Sequence, residues 1–393
     1  MGTFKPGNGC EHLEAVQCGN RLMNVRNHLA ELRERKGLSA AKLASAIGVS
    51  RQTVYAIESG SYVPNTSVSL RLARVLSVKV EEIFELYEER GASGETVRAT
   101  LLPTPEEIQP GQPLRLCNVE RKAVAFVPEV GAHGIGPFEG VLSAAEYDGE
   151  ECQVDVFDEN WNNPNRLLIA GCDPGTSVLA RQLGRSDVEL LVSYQNSLSA
   201  LDLLKQKLCH LAGTHLVNRK TGKFDVARTK ELFGGSAITI ISYATWEEGL
   251  ALGKGNPKGI TGVADLKRAD VRIVNREPGA ACRNLLDSLL RENEIQSQKV
   301  RGYDTIAYGH LPAARQILNG EADTCVCTRA AAKVLGLDFI PLAQRPYHLI
   351  TWRKYLKLPQ IEALIDLLGR DSFRRDVELS TGYNMQNSGA VIA

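Results

Sequence analysis

Apolar residues recur at helical spacing near the start of the chain: Val25, Leu29 and Leu32, then Leu43, Ala44 and Ile47, then Val54 and Ile57. Residues that start and stop helices stand between these stripes. Gly37 sits where a first helix should end, Ser39 is placed to cap a second that Gly48 closes, and Ser50 to cap a third that runs to Gly60. Neither serine has Glu or Gln three residues on, so both are simple caps and not capping boxes. Two short helices about a three-residue turn containing glycine are the sequence form of a helix-turn-helix.

From residue 166 the period changes. The runs "RLLIAGCD", "VELLVSY", "AITIISY", "VRIVN", "ADTCVCT", "LDFIPL" and "YHLITW" have the length of buried strands. They alternate with the helical stretches "PGTSVLARQLG", "NSLSALDLLKQK", "DVARTKELFG", "GAACRNLLDSLLREN" and "LPAARQILNG", and "PQIEALIDLLGRDSFRRDV" closes the series. Strand, turn and helix repeated in this way predict parallel sheets with helices on both faces, enough for two lobes around a cleft. The segment between, residues 88–165, opens with the linker-like "ERGASGETVRATLLPTPEEIQPGQP". Its runs "PLRLCNV", "KAVAFVP" and "CQVDVF" read either as a small β module or as an extension of the following sheet. Its loop "GAHGIGPFEG", with His133, lacks the preceding strand and the Lys-Ser/Thr ending that a phosphate-binding loop requires. The expected domains are therefore a tail at 1–23, a helical domain at 24–87, a linker with a short β segment at 88–165, and an α/β domain at 166–389.

Charge adds a partner to this picture. The whole chain is neutral, but Asn24 to Lys79 holds nine Lys and Arg against three Glu, a local surplus of about six that suits a polyanion. On the third helix the face opposite Val54 and Ile57 carries Gln52, Tyr55, Ala56 and Ser59, with Ser50, Arg51 and Thr53 at the amino end. Gln pairs with adenine, Arg with guanine, and a tyrosine ring meets a thymine methyl or a phosphate. Double-stranded DNA is the expected partner.

No apolar run reaches bilayer length and the first twenty residues lack the apolar core of a secretion signal, so a cytoplasmic protein with no membrane partner is expected. Nine singly scattered cysteines fit a reducing compartment. In the tail, Cys10, His12 and Cys18 match no standard zinc spacing, and no metal site is expected.

The stretch "LRERKGLSAAKLASAIGVSRQTVYAIESGSYVPNTSVSLRLARVLSVKVEEIF" resembles the lambda-repressor-like family of the Cro and xenobiotic-response-element type. The resemblance implies an all-α five-helix DNA-binding domain that reads a palindromic operator as a homodimer or higher homo-oligomer. Many members carry Gln where this chain has Ala40, which shifts DNA affinity toward Arg51, Tyr55 and the region of Asn65 and Thr66. Further on, "IAGCDPG", "LAGTHLVNRKTGKF", "RIVNREPGAACRNLLD", "GHLPAARQILNGEAD", "LDFIPLAQRPYHLI" and "GYNMQNSG" resemble, in order, the periplasmic-binding-protein-like domain of the molybdate-binding type. That implies a two-lobed type II fold with an oxyanion such as molybdate or tungstate as effector. Departures from the family's pattern leave another small anion, an organic ligand or a degenerate pocket open, and no other cofactor is expected.

Ligands of such sheets bind where strands end and helices begin. The candidate ligand residues are Asp173, Gly175, Thr176, Ser177, Thr214, Gly279, Cys282, Arg283, His310 and Tyr347. Where the resembling family has hydroxyls, this chain has Ala280, Ala281 and Cys282, and Gly309 precedes His310, so backbone N–H groups and Arg283 are left as donors. No nucleophile-and-base or metal-hydrolase pattern is present, and no enzyme activity is expected. A ligand-responsive transcription factor is the first reading. A thiol-based redox sensor using Cys172, Cys282, Cys325 and Cys327 is the alternative.

Overall fold

The computed structural model describes residues 23–59, 62, 64–88, 95–105, 107–131, 134–143, 150–218, 223–235 and 237–393. They fall into two compact units, one up to residue 93 and the other from residue 94. The tail with Cys10, His12 and Cys18 lies outside the described residues, as do Gly60 and His133.

The first unit holds five helices, α1 (Leu29–Arg35), α2 (Ala40–Ile47), α3 (Arg51–Glu58), α4 (Thr66–Leu76) and α5 (Val80–Ile83), around Leu29, Leu43, Ile47, Val54, Ile57, Leu72 and Leu76. The caps fall where the sequence puts them. Ser39 Oγ accepts from Lys42 N, Ser50 Oγ accepts from Thr53 N, and Gly48 ends α2 in the left-handed region at φ 70°. One expectation is corrected: Val25 is not on the first helix. Met23–Asn27 is a strand paired antiparallel with Phe84–Glu88, because Asn27 Oδ1 accepts from Leu29 N and His28 N donates to Ile83 O, which starts the helix only at residue 29.

In the second unit, residues 96–156 form a closed barrel with strands in the order 96–101, 122–126, 113–119, 140–142 and 151–156, filled by Leu114, Leu116, Ala125, Val154 and Val156. The segment expected as a linker with a short β segment is thus mostly a β module. Its outer side joins the next layer, as Cys117, Val119, Val124 and Phe126 pack with Leu168, Leu191, Leu203 and Leu204. Beside this apolar contact is an ionic one. Buried Glu139 accepts from Arg115 Nη2 at 2.8 Å, Arg166 Nη2 at 2.5 Å and Leu116 N at 2.8 Å, while Arg166 Nε donates to Glu189 at 2.8 Å.

The α/β part is one eight-stranded sheet in the order 189–194, 166–171, 211–214, 338–352, 238–252, 324–328, 273–276 and 306–307. The strands at each end run parallel, as the alternating pattern predicts. Its middle does not: two fifteen-residue strands, Ile238–Leu252 and Asp338–Trp352, lie antiparallel along their whole length and pass from one half of the sheet into the other. "LDFIPL" and "YHLITW" are therefore one strand. Register shifts at Ser242/Ala244 and Glu248/Gly249 bracket the crossing. Helices α6 (Thr176–Gly184) and α7 (Ser197–Lys205) cover the first half, together with α8 (Val226–Leu232); α9 (Ala281–Glu292) and α10 (His310–Leu318) cover the second. The chain then returns to the first half, where residues 384–392 bond to Ile240, Ser242 and Thr245 along the remaining side of strand 238–252, and Ala393 O accepts from Ile240 N. No helix among the described residues is long and apolar enough to cross a membrane.

Burial opposes ionisation of Glu139, but the hydrogen bonds and charge of Arg115 and then Arg166 outweigh it and hold the carboxyl below its ordinary 4.5. A depressed carboxyl stabilises the native state fully above its unfolded value and loses that contribution as pH falls through the native value. Glu139→Gln leaves Arg166 buried without its full partner. It should lower the stability of this unit by about 3–5 kcal/mol at pH 7, with the difference from wild type shrinking below pH 4; thermal or urea unfolding across pH 3–7 checks this.

Candidate functional site

Two groups of side chains in the described residues look outward from this scaffold or into its middle. The first lies on α3. Arg51 and Gln52 are exposed at its amino end, and Tyr55 is 45% exposed one turn on. Arg51 Nη2 donates to Tyr55 Oη at 2.8 Å and the guanidinium lies 5.2 Å from the ring centroid, so the two are held as a pair on one face. Thr53 is half-buried and its Oγ1 is 2.8 Å from Ser50 Oγ, which ties both hydroxyls to the cap; Ser59 donates to Ala56 O. Asn65 caps α4 by accepting from Val68 N, with Thr66 exposed beside it. Two of the basic residues have structural tasks. Arg33 is fixed by Glu58 and Leu38 O, and Arg71 Nη1 donates to Ile47 O at the end of α2. Lys36, Lys42 and Arg74 remain exposed, Lys42 on α2, which packs against α3, and Arg74 on α4.

The second group lies where the long strands cross. Trp246 and Tyr347 stack at 4.3 Å between ring centroids, with Tyr383 5.4 Å from Trp246 and Tyr243 5.9 Å from Tyr347, all buried. The Tyr347 hydroxyl rests over the strand ends at Gly171 and Gly213; a Cβ on Gly213 would come within 1.8 Å of it. Against these rings sits His215, just past strand 211–214. Its Nδ1 bonds Glu248, which also accepts from Trp246 Nε1, and its Nε2 is 3.3 Å from Cys172 Sγ. His310, at the start of α10, has its ring centroid 5.8 Å from that of His215, and its Nδ1 is 3.8 Å from Cys282 Sγ. Arg276 and Glu277 form a buried two-pronged ion pair nearby.

Electrostatics follow from burial and these pairs. Burial alone would lower His215, but the facing Cys172 and Glu248 outweigh it and raise it to about 10. Glu248 is held down against its burial, chiefly by His215. His310, buried beside Arg276, is pushed well below its ordinary value, and burial pushes the Cys282 thiol and the Asp173 carboxyl up.

Of the ligand candidates read from sequence, the structure brings Asp173, Thr214, Cys282, His310 and Tyr347 into this buried region. Several have their polar atoms occupied. Asp173 Oδ1 accepts from Gly175 N and Tyr383 Oη, both at 2.7 Å, so a carboxylate already covers the start of α6. Thr176 Oγ1 is 3.1 Å from Asp173 O and 3.3 Å from Tyr194 Oη, and Thr214 Oγ1 accepts from Leu216 N. Gly279 is in the left-handed region at φ 90°, and a Cβ on it would come 3.1 Å from Asn196 Oδ1. Ser177 is exposed, and Arg283 supports the loop from outside by donating to Arg276 O and stacking on Tyr303. His215, Tyr243, Trp246, Glu248, Arg276 and Tyr383 were not singled out by sequence; "AGTH" and "NREPG" held the only local signal, a polar residue ending an apolar strand.

The redox candidates are all buried and in no disulfide. Cys325 and Cys327 face the same side of their strand, as the alternation predicts, and pack with Ala313, Ala314 and Ala331. Cys172 and Cys282 engage different histidines. A buried thiol with a raised pKa is a poor nucleophile, so the arrangement does not favour thiol chemistry at Cys282.

Residues 180–369 match the model of the PBP superfamily domain, and residues 29–83 that of a helix-turn-helix. The YvgK protein of Bacillus subtilis (strain 168) is 33% identical over 230 residues, covering 58% of this chain and 74% of YvgK. YgzD, an HTH-type transcriptional regulator of the same organism, is 46% identical over 65 residues, 16% of this chain and 98% of YgzD. Among solved structures, the sulfate-binding protein SubI from Mycobacterium tuberculosis H37Rv aligns with a TM-score of 0.43 at 15% identity, over 55% of this chain and 85% of that one. These matches reach the superfamily and stop short of the molybdate-binding type.

The seat of Tyr347 yields a stability prediction. Gly213→Ala forces the ring off the strand ends and should destabilise by about 1–3 kcal/mol. Gly184→Ala, at the end of α6 with nothing within 4 Å of its new methyl, should leave the thermal midpoint unchanged or slightly higher. Equal midpoints for the two variants in a differential scanning measurement would contradict this packing.

Proposed function

The chain belongs to the helix-turn-helix family through residues 29–83 and to the PBP superfamily through residues 180–369, and on that premise we propose that it is a DNA-binding transcriptional regulator whose operator affinity responds to a small ligand held between the two halves of its α/β sheet. One observation carries the ligand-binding half of this reading. Arg276 Nη1 and His310 Nε2 are buried with no hydrogen-bond partner, and beside them the buried Tyr243 Oη and Asp173 Oδ2, Tyr347 Oη and Glu248 Oε2 have little beyond each other, the Cys172 backbone and Arg345 Nε 4.0 Å from Glu248 Oε2; an unsatisfied buried polar atom costs about 1–3 kcal/mol. A fold without a guest has no reason to gather so many at one place.

Four of these atoms, on Arg276, His310, Tyr243 and Tyr347, are able to donate, which supports a small anion as effector, molybdate or tungstate among them. The carboxylates of Asp173 and Glu248 restrict where its charge sits. On the DNA side, Arg51, Gln52 and Tyr55 read the major groove, with Ser50, Thr53, Ser59, Asn65 and Thr66 fixing or flanking the helix, and a homodimer in the cytoplasm binds a palindromic site. The effector acts only through a difference in its affinity for the DNA-competent and DNA-incompetent states. Cys172, His215 and Glu248 stand in line as a thiol, an imidazole and an orienting carboxylate, so the non-enzymatic reading rests on the regulator and binding-domain families matched and not on the cleft's geometry.

Two measurements test it. With an operator selected from genomic DNA by the wild-type protein, Arg51→Ala and Gln52→Ala should each weaken specific binding by roughly 10- to 100-fold per half-site, while non-specific binding falls less; unchanged specificity in both variants removes α3 as the reading helix. In a thermal-shift series with molybdate, tungstate, sulfate, phosphate and small carboxylates, the true effector should give a saturable rise, about 2.7 kcal/mol at a hundredfold excess over its Kd. Arg276→Gln and Tyr347→Phe should abolish that rise and spare unliganded operator binding; a rise retained in both variants puts the effector elsewhere.

A further inference from the structure

The geometry points to a metal centre: we propose that Cys172, His215 and His310 bind one thiophilic divalent ion of the Zn²⁺ class, with one coordination position left to a non-protein ligand. Their donor atoms all lie within 4.8 Å of one another and all three residues are buried. Cys172 Sγ and His215 Nε2 are 3.3 Å apart. A tetrahedral zinc with bonds of about 2.3 Å to sulfur and 2.0–2.1 Å to nitrogen separates such a pair by roughly 3.5 Å.

The second nitrogen of each ring is already engaged. His215 Nδ1 bonds Glu248, which is in turn held by Trp246 Nε1. This is the carboxylate–histidine arrangement that orients metal-binding imidazoles and fixes the tautomer with Nε2 unprotonated. His310 Nδ1 faces Cys282 Sγ, and its Nε2 has no partner. A simple hydrogen bond between Cys172 and His215 would satisfy two of the three donors and strand the third. A single cation satisfies all three. Two imidazoles and a thiol, with no carboxylate or carbonyl among them, suit zinc or cobalt and disfavour magnesium and calcium.

The three ligands come from both halves of the sheet. Cys172 and His215 follow strands 166–171 and 211–214 of the first half, whereas His310 begins α10 in the second. An ion held by all three ties the halves together, takes His310 Nε2 out of the anion's set of donors and offers the anion its own open position instead. Only this regulatory consequence rests on the ligand-responsive reading; the metal site stands on its own geometry.

The test is titration of the reduced, metal-stripped full-length protein with Co²⁺ alone, followed by absorbance. One equivalent should bind with a thiolate-to-cobalt charge-transfer band and the visible bands of a four-coordinate ion, and Zn²⁺ should displace it. Cys172→Ser should remove the charge-transfer band, His310→Gln should weaken binding by at least tenfold, and Glu248→Gln by roughly 10- to 100-fold. The double variant Cys10→Ser/Cys18→Ser should bind as wild type does. Circular dichroism confirms that each variant is folded; since His310→Gln keeps a neutral side chain of similar reach, it decides the matter if Cys172→Ser does not fold. A charge-transfer band retained in folded Cys172→Ser or undiminished affinity in His310→Gln overturns the site, as does a wild-type protein that shows no thiolate band. Operator binding measured with and without Zn²⁺ separates the two readings: one equivalent bound with unchanged operator affinity leaves the metal centre in place and counts against ligand-responsive regulation through this cleft, and no metal bound leaves the anion screen as the test of that regulation.

Discussion

Strands 238–252 and 338–352 stay hydrogen-bonded to each other from Ile238/Trp352 to Leu252/Asp338, and both halves of the eight-stranded sheet hang from that one antiparallel ladder. Each half contributes its own parallel strands and covering helices, but among the described residues neither has another strand that continues into its neighbour. Side chains alternate along a strand, so Trp246 and Glu248, two residues apart, leave the same face at the crossing. The register shifts on either side re-aim them where strand ends from the first half and helix starts from the second converge. The chemistry of the cleft is thus mounted on the most continuous element of the fold, with loops adding to it. A buried carboxylate such as Glu248 is tolerable there only because His215 and Trp246 arrive at the same point.

Charge is divided differently in the two units. In the helical unit, arginines that look available for a polyanion serve the fold, with Arg33 bridging α1 to Glu58 at the end of α3 and Arg71 closing α2. The arginine left on α3 is paired with a tyrosine rather than with an acid, so its charge is oriented without being neutralised. In the second unit the acids are drawn inward. Glu139 fastens barrel to sheet, and Asp173, Glu248 and Glu277 gather where the halves meet. Each interior acid is matched by an arginine, a histidine or backbone N–H groups, which keeps the local field near neutral and leaves it sensitive to any added ion.

Local signals were readable from sequence and long-range ones were not. Ser39 and Ser50 cap because a hydroxyl before a helix reaches the N–H three residues on, and nothing distant decides it. The strand-turn-helix runs around Cys172, Cys282 and His310 likewise announced helix starts. The long ladder was hidden because its strands are interrupted in composition. Glu247 and Glu248 break the apolar run after "AITIISY", and Pro341 within "LDFIPL" and Pro346 just before "YHLITW" read as breaks. The prolines are tolerated because residues 338–346 form no ladder on their other side among the described residues, since strand 211–214 reaches only to Thr351 through His348. With the ladder unseen, His215 and Glu248, thirty-three residues apart, had no reason to be put together. The barrel was half-legible for a related reason: its strands are short, and closure depends on the parallel pairing of 96–101 with 122–126, which no local pattern encodes.

The return of residues 384–393 to strand 238–252 sets an order in time. On a ribosome the helical unit is complete about three hundred residues before the crossing strand receives its last neighbour, and domains generally fold as they emerge. The α/β unit cannot do so piecemeal. Strand 238–252 waits first for 338–352 and then for residues 384–393, while Trp246, Tyr243 and Glu248 remain without the neighbours that bury them. A chain that stops short of residue 384 therefore carries a complete helix-turn-helix unit on an incomplete α/β unit.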